Sequence, residues 1–297
     1  MIDPVNQFDA NGSRIAVRTF REGRARLERV ELATDRRVET ALDGAHFTLS
    51  PDWEHVYYWR DTDPSLPYGT LCEWDFATGV EATIDDGVRG PVVFADGGRR
   101  VFYRDDWQYH VAGGSPSDLR LWSPAARRSL SIAEDAYAWS LLDTEGSAAL
   151  VIHQDSFADC ASTLYETGGA RRQALPGCWL LGTSADGAVI YGAYADGHYG
   201  LHRVRLWSED DPEKLASGIT QAILSPDGAT LAYVAGAPGA VGITVRALGT
   251  GETSALTFGA DEAALRAVTD RLVVTTARHG EGWTLGVHSS PRRGPGD

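Results

Sequence analysis

The sequence predicts an all-β protein built from a repeated antiparallel unit, and three observations lead to this prediction. An apolar run, a short turn rich in Asp, Asn and Gly, and a second apolar run recur at steps of 40 to 49 residues. An alternating apolar and polar segment follows in most units, and a period of two is typical of a half-buried strand. The nearest candidate helix, residues 261–266, is too short to be stable alone in water. Turn-bounded apolar runs with such a period indicate a repeat architecture.

The start of the second apolar run gives the number of units. These starts are Ile15, Val56, Val101, Leu150, Ile190 and Leu231. One further step of 41 residues reaches Leu272, inside an apolar segment that lacks the turn glycine. We therefore expect seven units.

Each unit reads as four strands, here named A to D. The two apolar runs are A and B, and the A–B turns are predicted at Gly12, Trp53, Gly97, Gly146, Gly187, Gly228 and about Asp270. The alternating segment is C, and a turn such as 77–79 or 249–251 leads to a short D strand. The B run 56–59 does not alternate, which predicts a strand buried on both faces.

Seven four-stranded antiparallel units of this length predict a seven-bladed β-propeller, whose radial packing leaves only short protected edges. We expect one domain over residues 1–290 and a flexible tail over 291–297, where Pro291 and Pro295 oppose a central strand. The last unit shows no clear D strand. Two alternatives stay open: the last blade has three strands, or residues 1–3 supply the fourth.

The turn from Ser225 to Gly228, its near-copy Ser50-Pro51-Asp52 and the downstream Thr-Gly turns resemble the TolB-type propeller repeat. The same repeat occurs in the propeller domains of prolyl-oligopeptidase-like peptidases. The resemblance spans about residues 8–289 and implies a fold whose members include protein-binding scaffolds, peptidase gating domains and some lyases. Because function does not follow from fold, it names no activity. No Gly-x-Ser-x-Gly motif of a serine hydrolase occurs in the sequence.

Charge and hydropathy exclude some partners. With 27 basic and 41 acidic residues the net charge is −14, so nucleic acid is not an expected partner. No apolar run approaches the roughly 20 residues of a spanning helix, so no membrane contact is expected. The first residues lack the pattern of a secretory signal, which favours a cytoplasmic protein unless a leader was removed. We expect a monomer.

Long B–C loops in the second and third units predict where a ligand binds, because binding residues concentrate on loops held by a rigid scaffold. Arg-Asp pairs stand at equivalent places in these units, and aromatic residues lie nearby. The candidate ligand-binding residues are Arg60, Asp61, Arg104, Asp105, Trp107, Tyr109, Tyr199 and Trp283. Two arginines would suit a carboxylate or phosphate through bidentate contacts. The alternative is that the Arg-Asp pairs only tie neighbouring blades together.

Three histidines are candidate catalytic residues. His153 and His279 end B strands and His198 lies near a B–C loop, so each could act as a general base near neutral pH. The His198–His202 spacing spans about 13 Å on a strand, which is unlike a zinc motif. We expect no metal site and no cofactor.

The three cysteines are predicted to be structural. Cys72 lies in a C strand and should be buried as a hydrophobic residue. Cys160 and Cys178 flank strands of the fourth unit, and we expect them to lie within bridging distance. Two reduced thiols and a disulfide both stay open.

Two function classes follow. The first is a non-catalytic propeller that binds a small molecule or a protein partner on the B–C face. The second is a propeller enzyme (a lyase, hydrolase or cyclase of the kind used in bacterial secondary metabolism) with His, Arg and carboxylate groups in a central funnel.

Overall fold

The computed structural model describes residues 6–8, 12–21, 24–42, 47–60, 68–105, 117–153, 162–177, 179–195, 198–236, 241–257, 262–269, 271–279 and 282–289. Within these ranges the protein is all-β and contains no α-helix; one short 3-10 turn spans Asp96–Gly98. All strand pairs are antiparallel. The predicted fold class, antiparallel all-β with four-stranded sheets, is therefore confirmed.

The chain forms two compact units. The first comprises residues 1–137 with 144–146, and the second comprises residues 138–143 with 147–297.

Two sheets lie in the first unit. The first sheet has four strands: β1 (Asn6–Phe8), β2 (Arg14–Arg21), β3 (Arg24–Glu31) and β4 (Arg36–Leu42). The second sheet has seven: β5 (Phe47–Leu49), β6 (His55–Arg60), β7 (Tyr68–Asp75), β8 (Val80–Ala95), β9 (Arg100–Asp105), β10 (Ser117–Ser123) and β11 (Arg128–Ala136).

Three sheets lie in the second unit. The third sheet has four strands: β12 (Ala138–Leu141), β13 (Ala148–Ile152), β14 (Ser162–Glu166) and β15 (Arg172–Leu175). The fourth has seven: β16 (Trp179–Thr183), β17 (Val189–Ala195), β18 (His198–Val204), β19 (Glu213–Leu224), β20 (Thr230–Ala235), β21 (Gly242–Ala247) and β22 (Thr253–Thr257). The fifth has three: β23 (Glu262–Val268), β24 (Leu272–His279) and β25 (Gly282–Ser289).

The seven-stranded sheets arise because two strands are long. β8 pairs with β7 up to Arg89 and with β9 from Arg89 onwards. β19 pairs in the same way with β18 up to Ile219 and with β20 from Ile219 onwards. Each long strand therefore supplies the D strand of one four-stranded meander and the A strand of the next.

Burial follows the predicted strand roles. The B strands β6 and β13 each contain four consecutive buried residues, as expected for strands covered on both faces. The C strand β21 alternates between buried and half-exposed positions. Cys72 in the C strand β7 is fully buried, which confirms its predicted position in the core. Cys160 and Cys178 lie outside the described residues.

The A–B turns lie where the sequence places them. Backbone φ is positive at Gly12, Trp53, Gly97, Gly146, Gly187 and Gly228. Each of these residues lies in the turn between the first two strands of a meander. Asp270, the seventh predicted turn position, is outside the described residues.

A serine and an aspartate two residues later hold three of these turns together. The Oγ atoms of Ser184 and Ser225 lie 2.5 and 2.6 Å from the Oδ1 atoms of Asp186 and Asp227. Ser50 and Asp52 form the same contact. All three serines are buried, so the side-chain contact satisfies polar groups that have little access to water.

A buried arginine joins the first two sheets inside the first unit. The guanidinium of Arg29 hydrogen-bonds the backbone oxygen of Trp53 and lies 3.4 Å from a carboxylate oxygen of Glu54. It also stands 4.5 Å from the centre of the Phe76 ring. The A–B turn of the second meander is therefore anchored to β3 by charge and hydrogen bonding, and Phe76, which follows β7, adds a cation–π contact.

Candidate functional site

The candidate site lies at the strand ends that carry the B–C connections. In an antiparallel meander, the A–B and C–D turns lie at one end of the strands and the B–C connections at the other. Residues 61–67, 106–116 and 154–161, which form three of these connections, are outside the described residues, and with them Asp61, Trp107 and Tyr109. The strand ends on either side are described and define the rest of the site.

Arg60, at the end of β6, extends across its own sheet to β8. Its Nη1 atom lies 2.9 Å from Oε1 of Glu81, and its Nη2 donates to the hydroxyl of Thr83 at 3.3 Å. Tyr58, two residues before Arg60 and on the same face of β6, also donates to Glu81. Glu81 therefore holds both a guanidinium and a phenol.

Arg104 binds the end of a different strand. Its Nε donates to Oγ of Ser117 at 2.6 Å, and its Nη2 donates to the backbone oxygens of Ala136 and Tyr137 at 3.0 and 3.1 Å. The last carbonyl group of β11 and that of Tyr137, the next residue, thus accept from a charged donor. Arg104 acts as a structural cap of the third meander.

Asp105 is buried and forms an ion pair with Arg120. Its Oδ2 lies 2.7 Å from Nε of Arg120, while carboxylate oxygens of Asp85 and Asp118 lie 3.8 and 3.9 Å from the same guanidinium. Tyr103 donates to Asp85 at 2.8 Å. Burial raises the pKa of the Tyr103 hydroxyl, so this phenol stays a neutral donor. Three carboxylates therefore share one guanidinium near this strand end.

In the second unit, His153 forms a pair with a tyrosine that the sequence analysis did not single out. Its Nε2 lies 3.3 Å from the hydroxyl of Tyr165, which belongs to β14. The guanidinium of Arg172 stands 5.2 Å from the centre of the Tyr165 ring. His153 is half-exposed and Tyr165 is buried. A histidine open to solvent thus contacts a phenol that the strands hold in place.

The hairpin of β17 and β18 presents an aromatic pair. Tyr194 and Tyr199 are direct cross-strand partners, and their rings meet edge to face with centroids 4.9 Å apart. Tyr194 is 41% exposed. His198 is exposed next to this pair, but neighbouring residues on a strand point to opposite faces, so its side chain leaves the sheet on the other side from Tyr199.

Trp179 lies on the same face as the tyrosine pair. It pairs with Gly192 in β17, two residues before Tyr194. A Cβ atom at position 192 would lie 2.6 Å from Cε3 of the Trp179 indole. Only glycine leaves room for the indole there, and this close contact positions the ring over the strand.

The remaining predicted residues are placed as follows. His279 ends β24, as expected, while Trp283 is 54% exposed near the start of β25. His202 stacks on Tyr191 with centroids 5.5 Å apart, and burial followed by the charge of Lys214 lowers its pKa. No group of three or more metal-ligating side chains occurs within the described ranges.

The structure distributes the candidate anchors over separate contacts. Arg60, Arg104 and Asp105 belong to the first unit, and His153, His198 and Tyr199 belong to the second. Sequence reasoning missed Tyr165, Trp179 and Arg120. A signal existed for Tyr194, because the Asp-Gly turn at 196–197 predicts a hairpin that pairs it with Tyr199.

A cleft of about 190 Å³ lies at the opposite end of β18 and β19. Its charged groups bind one another: Arg203 contacts Asp186 at 2.5 Å and Glu213 at 3.7 Å, and Arg246 contacts Glu213 at 3.0 Å. The Arg203 pairs lie within one meander, and the Arg246–Glu213 pair links its C–D end to the next meander.

No helix in the described part of the chain is long and apolar enough to cross a membrane. No family model matches the sequence, and no curated protein matches it.

Similar solved structures are β-propellers. The propeller domain of the Trilobed protease from Pyrococcus furiosus is 12% identical, with 96% of this chain and 92% of that chain covered and a TM-score of 0.44. An oligogalacturonate lyase in complex with manganese is 15% identical, with 96% and 88% covered and a TM-score of 0.44. TolB from Acinetobacter baumannii is 14% identical, with 97% and 76% covered and a TM-score of 0.40. At these identities each likeness concerns the fold alone.

Proposed function

We propose that this protein is a propeller scaffold that binds a small molecule or a protein partner at the strand ends carrying the B–C connections. The observation behind the proposal is the contrast between the two ends of the strands. At the A–B and C–D end, the polar groups of the turns bind one another, as in the Ser225–Asp227 contact and the Arg203–Asp186 pair. At the B–C end of the second unit, His153, His198 and Tyr194 present half-exposed or exposed side chains.

Exposed aromatic and imidazole groups on a rigid sheet favour binding. Tyr194 lies in β17, which pairs with β18, and His153 directly follows the paired strand β13, so little backbone order has to be gained when a ligand arrives. Aromatic rings are the side chains most enriched at binding surfaces. The B–C end is therefore the part of the described surface best suited to a partner.

An anionic ligand would have to compete with internal partners in the first unit. Arg60 already contacts Glu81, and Arg104 already holds two backbone oxygens. Replacing the contacts of Arg104 would leave carbonyl groups without their donor. An anion that binds in this unit should therefore use Arg60, whose partner Glu81 is half-exposed, before Arg104.

The second candidate function is enzymatic, and the contact between His153 and Tyr165 favours it. A half-exposed imidazole that contacts a phenol can take up a proton and be oriented while it does so. The reaction classes are those of a lyase, hydrolase or cyclase. Activity that disappears in His153→Ala and persists in Tyr165→Phe with an altered pH profile would establish this role.

We also propose seven blades in one domain over residues 1–290, and a cytoplasmic monomer. The strand order supports the blade count, because each long strand serves two meanders and the fifth sheet has three strands. A molar mass of about 32 kDa by light scattering is the expected result for the monomer.

A ligand screen with two matched variants tests the binding function. Small molecules that raise the melting temperature of the wild-type protein would be titrated against His153→Ala and Tyr194→Leu at the B–C end. Glu252→Gln, an exposed position at a C–D turn, is the control. Loss of affinity in a B–C variant with unchanged affinity in the control supports the proposal. Ligands that respond only to the control, or no ligands at all, would contradict it.

A further inference from the structure

We propose that three aromatic residues, Trp179, Tyr194 and Tyr199, bind an alkylated ammonium group through cation–π contacts. These three residues are called the aromatic cluster. This inference rests on the proposed binding function and names the chemical class of the ligand at one part of the B–C end. Three observations support the inference: the three rings lie on one sheet face, one of them is exposed, and the chain has a negative net charge.

The three rings share one face of the fourth sheet. Trp179 is the cross-strand partner of Gly192, and Tyr194 is the partner of Tyr199. Because residues two apart on a strand point to the same side, Gly192 and Tyr194 face the same way, about 7 Å apart along the strand. The indole, which a Cβ at position 192 would meet at 2.6 Å, therefore lies over Gly192 on the same sheet face as the tyrosine pair.

One side of the aromatic cluster packs on the hydrophobic core, and the other side is open to solvent. Trp179 and Tyr199 are half-buried and pack on the core formed by Ile190, Leu201 and neighbouring residues. Tyr194 is 41% exposed and meets Tyr199 edge to face, which leaves a ring face of the pair directed away from the contact. A ligand group can thus approach a preformed aromatic surface.

Charge selects the ligand class. An aromatic face attracts a cation within about 6 Å of its centre, and an alkylated ammonium combines this attraction with an apolar surface that suits the rings. The net charge of −14 raises the concentration of cations around the protein and opposes anions. A neutral apolar group of the same shape would gain the contact area without the electrostatic attraction.

Choline and its neutral isostere 3,3-dimethylbutan-1-ol provide the test on the full chain. Saturation-transfer NMR would measure the binding of each compound to the wild-type protein at constant chloride concentration. We expect choline to bind about threefold to fivefold more tightly than the isostere, which is the size of an exposed cation–π contact. Equal affinity for the two compounds, or no binding of choline, would overturn the inference.

Substitutions at Tyr194 locate the contact. Tyr194→Leu should weaken choline binding by about threefold to fivefold, whereas Tyr194→Phe, which keeps the ring face, should bind like the wild type. Leu285→Ala shortens an exposed apolar side chain on another sheet, at a position that is not a candidate site residue, and serves as the control. Choline binding that is unaffected by Tyr194→Leu, or equally affected by Leu285→Ala, would contradict the assignment.

The screen described above separates this inference from the proposed function. Ligands of another class that depend on His153 or Tyr194, found together with no preference for choline, would overturn the ammonium assignment and leave the binding function in place. Ligands that map to neither residue would remove both.

Discussion

The hydroxyl of Ser225 lies 2.6 Å from Oδ1 of Asp227 and accepts the backbone N–H of Thr230 at 2.9 Å. Ser225 and Thr230 are buried, so this one oxygen satisfies a backbone donor that water does not reach. The contact joins the end of β19 to the start of β20. This contact gives a physical reason for the recurring Ser-x-Asp sequence, because the serine hydroxyl binds polar groups of the turn that are buried.

Ser225→Ala should destabilise the protein by about 1–3 kcal/mol, because the Thr230 N–H keeps its burial and loses its acceptor. Urea denaturation followed by circular dichroism measures the change. Ser217→Ala, an exposed serine on β19, should stay within about 0.5 kcal/mol of the wild type. Equal losses in the two variants would refute the role of the buried hydroxyl.

Gly228→Ala should destabilise more than Gly187→Ala. Both glycines have positive φ, +69° and +80°, so alanine is strained at either position by about 1 kcal/mol. At position 228 a Cβ would also lie 2.4 Å from the backbone oxygen of Thr183, whereas nothing lies within 4 Å of one at position 187. The difference between the two variants in urea midpoint therefore measures the close approach of neighbouring turns. Similar urea midpoints would mean that the turn at 183–185 shifts to make room for the added methyl group without a measurable loss of stability.

The local features of the fold could be predicted from the sequence, because local residues determine them. The turn at Ser225–Gly228 depends on a side chain and a glycine within four residues, and B strands such as β6 reveal their two-sided burial by a continuous apolar run. The continuity of β8 could not be predicted, since Gly87, Gly90 and Pro91 suggest a break. Because φ is positive at Gly87 and Gly90, β8 continues from one meander into the next without a break.

The partners of the candidate site residues could not be predicted. Glu81 is 21 residues from Arg60, and the carbonyl of Ala136 is 32 residues from Arg104. Register shifts in β7 and β10 separate these positions, and a shift of one residue turns a side chain to the other face of the sheet. The alternation pattern alone does not reveal such shifts.

The titration of His202 should make the protein less stable in mild acid. Its pKa is lowered in the folded state, first by burial and then by Lys214, so the unfolded chain binds more protons. The neutral imidazole of His202 therefore contributes to the free energy of unfolding above the unfolded pKa of about 6.5, and this contribution is lost as the pH falls below that value. Urea midpoints between pH 5 and 7.5 should fall less steeply in His202→Gln than in the wild type. An equally steep decrease in His202→Gln and in the wild type would contradict this assignment.

Arg104→Met should cost more stability than Arg60→Met. The guanidinium of Arg104 donates to Ser117 and to the backbone oxygens of Ala136 and Tyr137, and removing these three hydrogen bonds should cost about 1–3 kcal/mol. Arg60 and Glu81 are about a third exposed, and such surface ion pairs contribute about 0–1 kcal/mol. Methionine keeps most of the aliphatic stem in both variants, so the comparison isolates the charged group. Equal small losses on denaturation would mean that the contacts of Arg104 stabilise the scaffold no more than those of Arg60. A larger loss for Arg104 assigns it to the scaffold and leaves Arg60 as the better anchor for an anion.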